Sequence, residues 1–215
     1  MVHRSELIKQ FAAAHQKGWR VHSDDFPDKV DEPFFPARNK VFRALERFSP
    51  GDVRYLILGQ DPYASQDANG IAFSVERVLQ GGPLPRSLVK IMQHVYGKGG
   101  GRPSLDDCIE EKKILLLNSA LTVPKLTAGR APSDGAGGHL RLWQTFTGSI
   151  VVQLYQQNPN VKLIAWGAPA RRVICDALER AGVFSSCVHP SRPNESFEQF
   201  WQTPVGYFLR MESPP

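Results

Sequence analysis

The sequence predicts an α/β fold of three layers, α/β/α, around a central, mostly parallel four-stranded sheet. Three observations lead there. Four short apolar runs recur along the chain, at residues 55–58, 114–117, 161–166 and, more weakly, around Cys187-Val188. Continuous runs of strand length describe strands buried on both faces, the condition of a parallel sheet covered by helices. Between them lie segments whose apolar residues repeat at helical spacing, so strand and helix alternate.

At the amino end, Leu7, Ile8 and Phe11 describe a short amphipathic helix, followed by a polar, proline-containing loop through Pro36. Val41, Phe42, Leu45 and Phe48 also recur at helical spacing, and Pro50-Gly51 would end that helix. The first strand run closes on Gly59-Gln60-Asp61-Pro62-Tyr63. Leu88, Ile91, Met92, Val95 and Tyr96 then form a helical stripe, started by Ser87 and stopped by Gly97. The second strand closes on Asn118 and is followed by the stripe Trp143, Phe146, Ile150 and Leu154. The third closes on Gly167. Its helix carries Val173, Ile174, Ala177, Leu178 and Ala181, with Pro169 in the first turn and Gly182 just past the end. The fourth run closes on His189-Pro190-Ser191.

Composition bounds the function. The 215 residues carry 26 basic and 21 acidic side chains, a formal charge of +5, with 41% hydrophobic and 22% charged residues. That is the mix of a folded chain, and residues 1–215 are expected to form a single domain. No stretch reaches the ~18 uninterrupted apolar residues of a membrane span. The first ten residues lack the apolar block of a secretory signal, so the bacterial cytoplasm is the expected compartment, or the nucleus or an organelle in a eukaryote. Cys108, Cys175 and Cys187 are odd in number and widely spaced, and the six histidines lack metal-ligand spacing. Neither a disulfide framework nor a metal site is expected.

In open α/β sheets, ligands bind beyond the carboxyl ends of the strands. That edge would collect Gln60, Asp61 and Tyr63 from one strand, Asn118 from a second and His189 from another. Singly, each has an ordinary structural explanation: Asp61-Pro62 initiates a turn, Asn118 ends a strand, His189-Pro190 makes a bend. Together, an acid, a carboxamide, an imidazole and an aromatic describe a polar pocket. A carboxylate can orient water or stabilise a cation, a His can hydrogen-bond a leaving anion, and an Asn can read a base edge.

These residues carry a resemblance. Gly59-Gln60-Asp61-Pro62-Tyr63, Gly70-Ile71-Ala72-Phe73-Ser74, Leu115-Leu116-Leu117-Asn118 and His189-Pro190-Ser191 resemble, in order and spacing, the signatures of family 1 uracil-DNA glycosylases. The likeness runs from about Phe35, through Val41-Phe42-Arg43-Ala44, to His189. The GQDPY run is specific; the other motifs are weak alone. The resemblance implies a glycosylase fold and hydrolysis of the N-glycosidic bond of uracil in DNA, leaving an abasic site, with no cofactor. Asp61 would position water and favour the cationic sugar, and neutral His189 would donate to uracil O2. Asn118 would pair with the N3/O4 edge, Phe73 would stack on the base, Tyr63 would exclude a C5 methyl, and Gln60 would shape the floor.

The same resemblance implies phosphate contacts from Pro85 and Ser87, in a stretch like the family's proline-rich loop, and from Gly167 and Ser191. Its implied partners are single- or double-stranded uracil-containing DNA and a proteinaceous inhibitor, and the expected state is a monomer. This chain departs from the family pattern at four places. Ala64 stands where the pattern has His, and Ala168 where it has Ser. The segment between Val123 and Trp143 is long, lacks the expected Ser-His pair and reads as a surface insertion. After His189-Pro190-Ser191, Arg192-Pro193-Asn194 replaces Pro-Leu-Ser, so Arg192 or Pro193 occupies the tip that wedges into the base stack. The altered tip leads to an expected preference for uracil in single strands. The alternatives are a non-catalytic homologue that binds DNA or protein, which the altered tip favours, and a glycosylase of shifted base specificity, which Tyr63 and Asn118 oppose.

Overall fold

A computed structural model describes residues 1–75, 83–97, 104–125, 138–178, 184–187, 195–203, 205–206 and 209–210. In chain order its elements are β1 (Val2–His3), α1 (Arg4–Gln10), α2 (Ala12–Gln16), β2 (Lys29–Val30), β3 (Phe34–Phe35), β4 (Tyr55–Gly59), α3 (Arg86–Tyr96) and α4 (Asp106–Lys112). There follow β5 (Ile114–Asn118), β6 (Val123–Pro124), α5 (Leu140–Gln157), β7 (Lys162–Trp166), α6 (Ala168–Leu178), β8 (Phe184–Cys187) and α7 (Glu195–Phe200).

The expected α/β architecture forms. Strands β5, β4, β7 and β8 lie side by side in that order, and every pair is parallel. Leu56, Ile57, Leu58, Leu115, Leu117, Leu163 and Ala165 are all buried, the state that their uninterrupted apolar runs require. Because side chains alternate along a strand, the register places Ile57, Leu116 and Ile164 on one face. That face meets α3 and α4: Ile57, Ile91, Val95, Cys108, Ile109 and Leu116 share one small apolar cavity. The other face, bearing Leu56, Leu58, Leu163 and Ala165, lies against α6, which packs in turn on α5.

The amino-terminal segment is held to α5 by aromatic rings. Phe11, Phe26, Phe42 and Phe146 meet mostly edge to face, with centroids 4.9 Å apart for Phe26–Phe146 and 5.3 Å for Phe11–Phe42, the geometry that ring quadrupoles favour.

Several local expectations are corrected. Val41, Phe42, Leu45 and Phe48 are buried as their spacing requires, but the backbone there forms short 3₁₀ turns, Arg38–Lys40, Arg43–Glu46 and Pro50–Asp52, instead of one α-helix. Apolar spacing of three to four residues fits either geometry over so short a stretch. Ser87 does not start α3. The cap position is Pro85, and Ser87 is the second helical residue. Gly97 does stop it, at φ +80°. The fourth strand lies at Phe184–Cys187, before the expected centre.

The 124–142 segment is not wholly a surface insertion. Residues 126–137 lie outside the described residues, but His139 is buried. The Trp143 indole donates to Thr122 Oγ1 at 2.7 Å, and the Thr122 hydroxyl lies 2.7 Å from His139 Nδ1. The threonine oxygen accepts from Trp143 and makes one further bond with Nδ1, in which either atom can donate. Burial holds His139 below its ordinary value, against a smaller upward pull from Asp31.

A histidine held low in the folded state takes up protons first in the unfolded chain. Its contribution is therefore intact above about pH 6.5 and fades as pH falls through the folded value. We expect the thermal midpoint to drop between pH 7 and about 5, and His139→Gln to show a shallower drop. Some slope should persist because burial lowers His94 as well. An equal slope in both proteins would show that His139 does not titrate on unfolding.

Candidate active site

The parallel register sets Gly59, the last residue of β4, opposite Asn118, the last of β5. Beyond them the two exits are tied together. Gly59 carbonyl oxygen accepts from Ser119 N at 2.9 Å and from Ser119 Oγ at 2.7 Å, and Gln60 carbonyl oxygen accepts from Ala120 N at 2.9 Å. The chain order reverses at β4, whose neighbours are β5 and β7, and such a switch point opens a crevice at the carboxyl edge.

A cavity of about 330 Å³ lies at that edge. Gln60, Asp61, Tyr63, Phe73, Asn118, Pro85 and Ser87 all line it, so sequence-distant residues named from their motifs meet in one place. Gly167 does not line it. It sits at the end of β7 with φ +110°, turning the chain into α6. His189, Ser191, Arg192 and Pro193 lie outside the described residues.

Gly59 is the hinge of the pocket floor. A Cβ there would lie 2.8 Å from Asn118 Oδ1 and 2.9 Å from Phe73 Cζ, so only a residue without a side chain lets the carboxamide and the ring converge. Phe73 is buried and adopts φ +58°, a strained conformation for a bulky residue that the surroundings must enforce. Its ring meets Trp166 edge-on, centroids 5.1 Å apart. Among the described residues none hydrogen-bonds the Asn118 carboxamide, which leaves its amide and carbonyl for a ligand.

The enforcement comes from a residue that the sequence reading missed. Asn69 is buried in the cavity wall; its Oδ1 accepts from Ile71 N at 3.1 Å and its Nδ2 donates to Ser74 Oγ at 2.9 Å. These bonds bracket the 70–73 turn. Gly70, at φ +84°, passes so close to the Lys40 carbonyl that no Cβ fits. The Asn69-Gly70 dipeptide is a turn signal that would have pointed to the clamp.

On the opposite wall, the Tyr63 hydroxyl lies 2.9 Å from Ser87 Oγ, and Ser87 is only 3% exposed. Burial pushes the Tyr63 phenol up to about 12, with the Ser87 bond acting the other way. Asp61 is half-buried, with Gln60 Nε2 a long 3.5 Å from its Oδ2. Among the described residues no three His, Cys, Asp or Glu side chains gather as a metal set, and no helix there is long and apolar enough to cross a membrane.

A parallel sheet with helices on both faces, and a carboxylate, a carboxamide and an aromatic ring lining a cavity at its switch point, places the chain among the α/β proteins whose crevice lies at the strand ends. The family is more particular. The model of the uracil DNA glycosylase superfamily matches residues 45–204, and the chain belongs to that superfamily. A Streptococcus thermophilus uracil-DNA glycosylase is 37% identical over 182 residues, 83% of this chain and 79% of the relative. A Streptococcus pyogenes uracil-DNA glycosylase is 35% identical over 204 residues, 91% and 86% of the two chains. Among solved structures, the UNG of Nitratifractor salsuginis aligns at TM-score 0.55 and 22% identity, covering 79% of each chain. A mimivirus UNG in complex with UGI aligns at TM-score 0.58 and 25% identity, covering 73% of this chain and 58% of that one.

Gly59→Ala should lower the free energy of unfolding by about 1–3 kcal/mol and with it the urea midpoint, because Phe73 or Asn118 must yield to the new methyl group. Urea unfolding checks this, and an unchanged midpoint would show that the floor has slack.

Proposed function

We propose that the protein is a monofunctional DNA-repair hydrolase that cleaves the N-glycosidic bond of uracil in DNA, releasing uracil and leaving an abasic site. The observation that carries the reading is the convergence of Asp61, Tyr63, Phe73 and Asn118 on one cavity in a chain of this superfamily. Bond cleavage leaves negative charge on the base and positive charge on the sugar. The Asp61 carboxylate stabilises the second and holds the attacking water, while His189 donates to uracil O2 where the first accumulates. Uracil stacks on Phe73, and the Asn118 carboxamide donates to O4 and accepts from N3–H. Cytosine presents the reverse pattern and leaves a buried polar pair unmatched, a strong basis for rejection. Tyr63 fills the space beside C5, and Gln60 shapes the floor through its backbone.

Reaching a base in a duplex requires turning it out of the stack, at a cost of a few kcal/mol that backbone contacts offset. Ser87 in the first turn of α3, with Gly167 and Ser191, takes the phosphates, since a helix N-terminus presents free N–H groups to an anion, and Pro85, which has no N–H, packs beside them in the loop before the helix. Arg192 or Pro193 supplies the wedge. Without a large apolar tip, chemistry outlasts extrusion, and single-stranded uracil becomes the better substrate. The chain acts as one domain and a monomer in the bacterial cytoplasm, or in the nucleus or an organelle of a eukaryote. An inhibitor protein comparable to the UGI found on the mimivirus UNG is a second partner.

Incubation with uracil-containing single-stranded DNA followed by alkali should give breaks at uracil. Asp61→Asn and His189→Ala should each slow them by about 10²–10⁴-fold. Unchanged rates would remove the role assignment. DNA binding without breaks would point to a non-catalytic homologue, and breaks at cytosine or thymine to a shifted specificity. Matched substrates should be cleaved faster as single strands than as U·A duplex, and equal rates would remove the strand preference.

A further inference from the structure

We propose that Ser87 is a positioning and specificity-determining residue, whose hydroxyl fixes the Tyr63 ring beside the uracil C5 position and so sets the discrimination against thymine. The proposal rests on the glycosylase reading above and adds a role for Ser87 separate from gripping phosphate.

The geometry argues for it at three points. Tyr63 Oη and Ser87 Oγ are 2.9 Å apart, and both residues line the cavity. Ser87 is 3% exposed and is followed on α3 by Leu88, Ile91, Met92 and Val95, all buried. Its hydroxyl is thus carried by a helix anchored deep in the core. Tyr63, by contrast, follows Gln60-Asp61-Pro62 in the turn after β4 and is only partly buried. The bond ties the turn to the helix, and the phenol becomes a wall held at both ends.

Either hydroxyl can donate in this pair; a serine hydroxyl donates once and accepts twice, so with the phenol donating, Ser87 accepts and keeps its own hydrogen for another acceptor. A phosphate contact and the hold on Tyr63 are therefore compatible on one hydroxyl. The steric argument needs the hold. Excluding one methyl group by shape alone is worth about 10–200-fold, and a ring free to swing aside forfeits part of that.

Single-turnover release of uracil and of thymine from otherwise identical single strands tests this in four proteins: wild type, S87A, Y63F and S87A/Y63F. Y63F keeps the ring and removes only the bond. The thymine-to-uracil rate ratio should rise about tenfold in S87A and similarly in Y63F, with no further rise in the double variant, as for two ends of one interaction. A ratio unchanged in S87A, with weakened DNA binding alone, would overturn the proposal in favour of a phosphate contact only. Ratio effects that multiply in the double variant would overturn it too. Should S87A not fold, Y63F decides alone, and a wild-type ratio there counts against the proposal. A wild-type protein that releases no uracil would sink the functional reading itself, whereas wild-type release with an unaltered S87A ratio sinks only the positioning role.

Discussion

The parallel pairing of β4 with β5 sets Gly59 beside Asn118, and the pocket depends on that single juxtaposition. Asn118 needs a neighbour that leaves room for its carboxamide, and Phe73 needs the same room from the other side. A one-residue slip would turn every side chain of the strand to the opposite face. Burial of both faces, Leu56 and Leu58 against one helical layer and Ile57 against the other, does not by itself resist the slip; the bonds from Ser119 N and Oγ to the Gly59 carbonyl and from Ala120 N to the Gln60 carbonyl fix it at the strand exits. Double acceptance by the Gly59 carbonyl from Ser119, and the Thr147 hydroxyl donating to the Ser119 carbonyl at 3.1 Å, fix the exits to the helical layer behind.

Around that floor, the walls are held by small buried polar groups. Asn69 uses both ends of its carboxamide to close the turn that carries Phe73, and the left-handed backbone of Phe73 is the strain that this closure maintains. Tyr63 and Ser87 do the equivalent on the far side with one bond. Asn69, Ser74 and Ser87 are buried, so these bonds are costly to leave half-made and the walls resist deformation. A rigid pocket is what shape discrimination between bases requires.

The segment before β4 supports the site without lining it. Its aromatic cluster packs on α5, the Trp19 indole donates to the Phe48 carbonyl at 3.0 Å, and the Gln153 carboxamide bridges Arg20 N and the Gly18 carbonyl. Outside, Glu32 is held well below the usual carboxylate range, at about 2, first by its hydrogen bond from Arg38 and then by the chain's amino terminus. These ties bring the 38–46 turns against the Gly70 corner, where the Lys40 carbonyl occupies the space of a missing side chain. A segment far from the chemistry thereby helps set the turn that carries Phe73.

Much of this was legible in the chain. Uninterrupted apolar runs require strands buried on both faces, so three of the four parallel strands followed from hydropathy and the fourth only weakly, and the rule that ligands gather at strand ends placed Gln60, Asp61, Tyr63 and Asn118 together. Periodicity could not tell 3₁₀ turns from a helix around Val41–Phe48 because a spacing of three to four residues serves both. Nor could it place His139 in the core, since a lone histidine in a glycine-rich stretch carries no periodic signal. Which partner a polar side chain takes was beyond the sequence altogether. Ser87 reads as a cap or a phosphate contact, and Asn69 as any loop asparagine. The sequence determined that the strands are buried and that Gln60, Asp61, Tyr63 and Asn118 follow their ends, because hydropathy is a property each residue carries with it. Only the tertiary structure decided how they are held, because a hydrogen bond depends on distances between segments that the linear order does not contain.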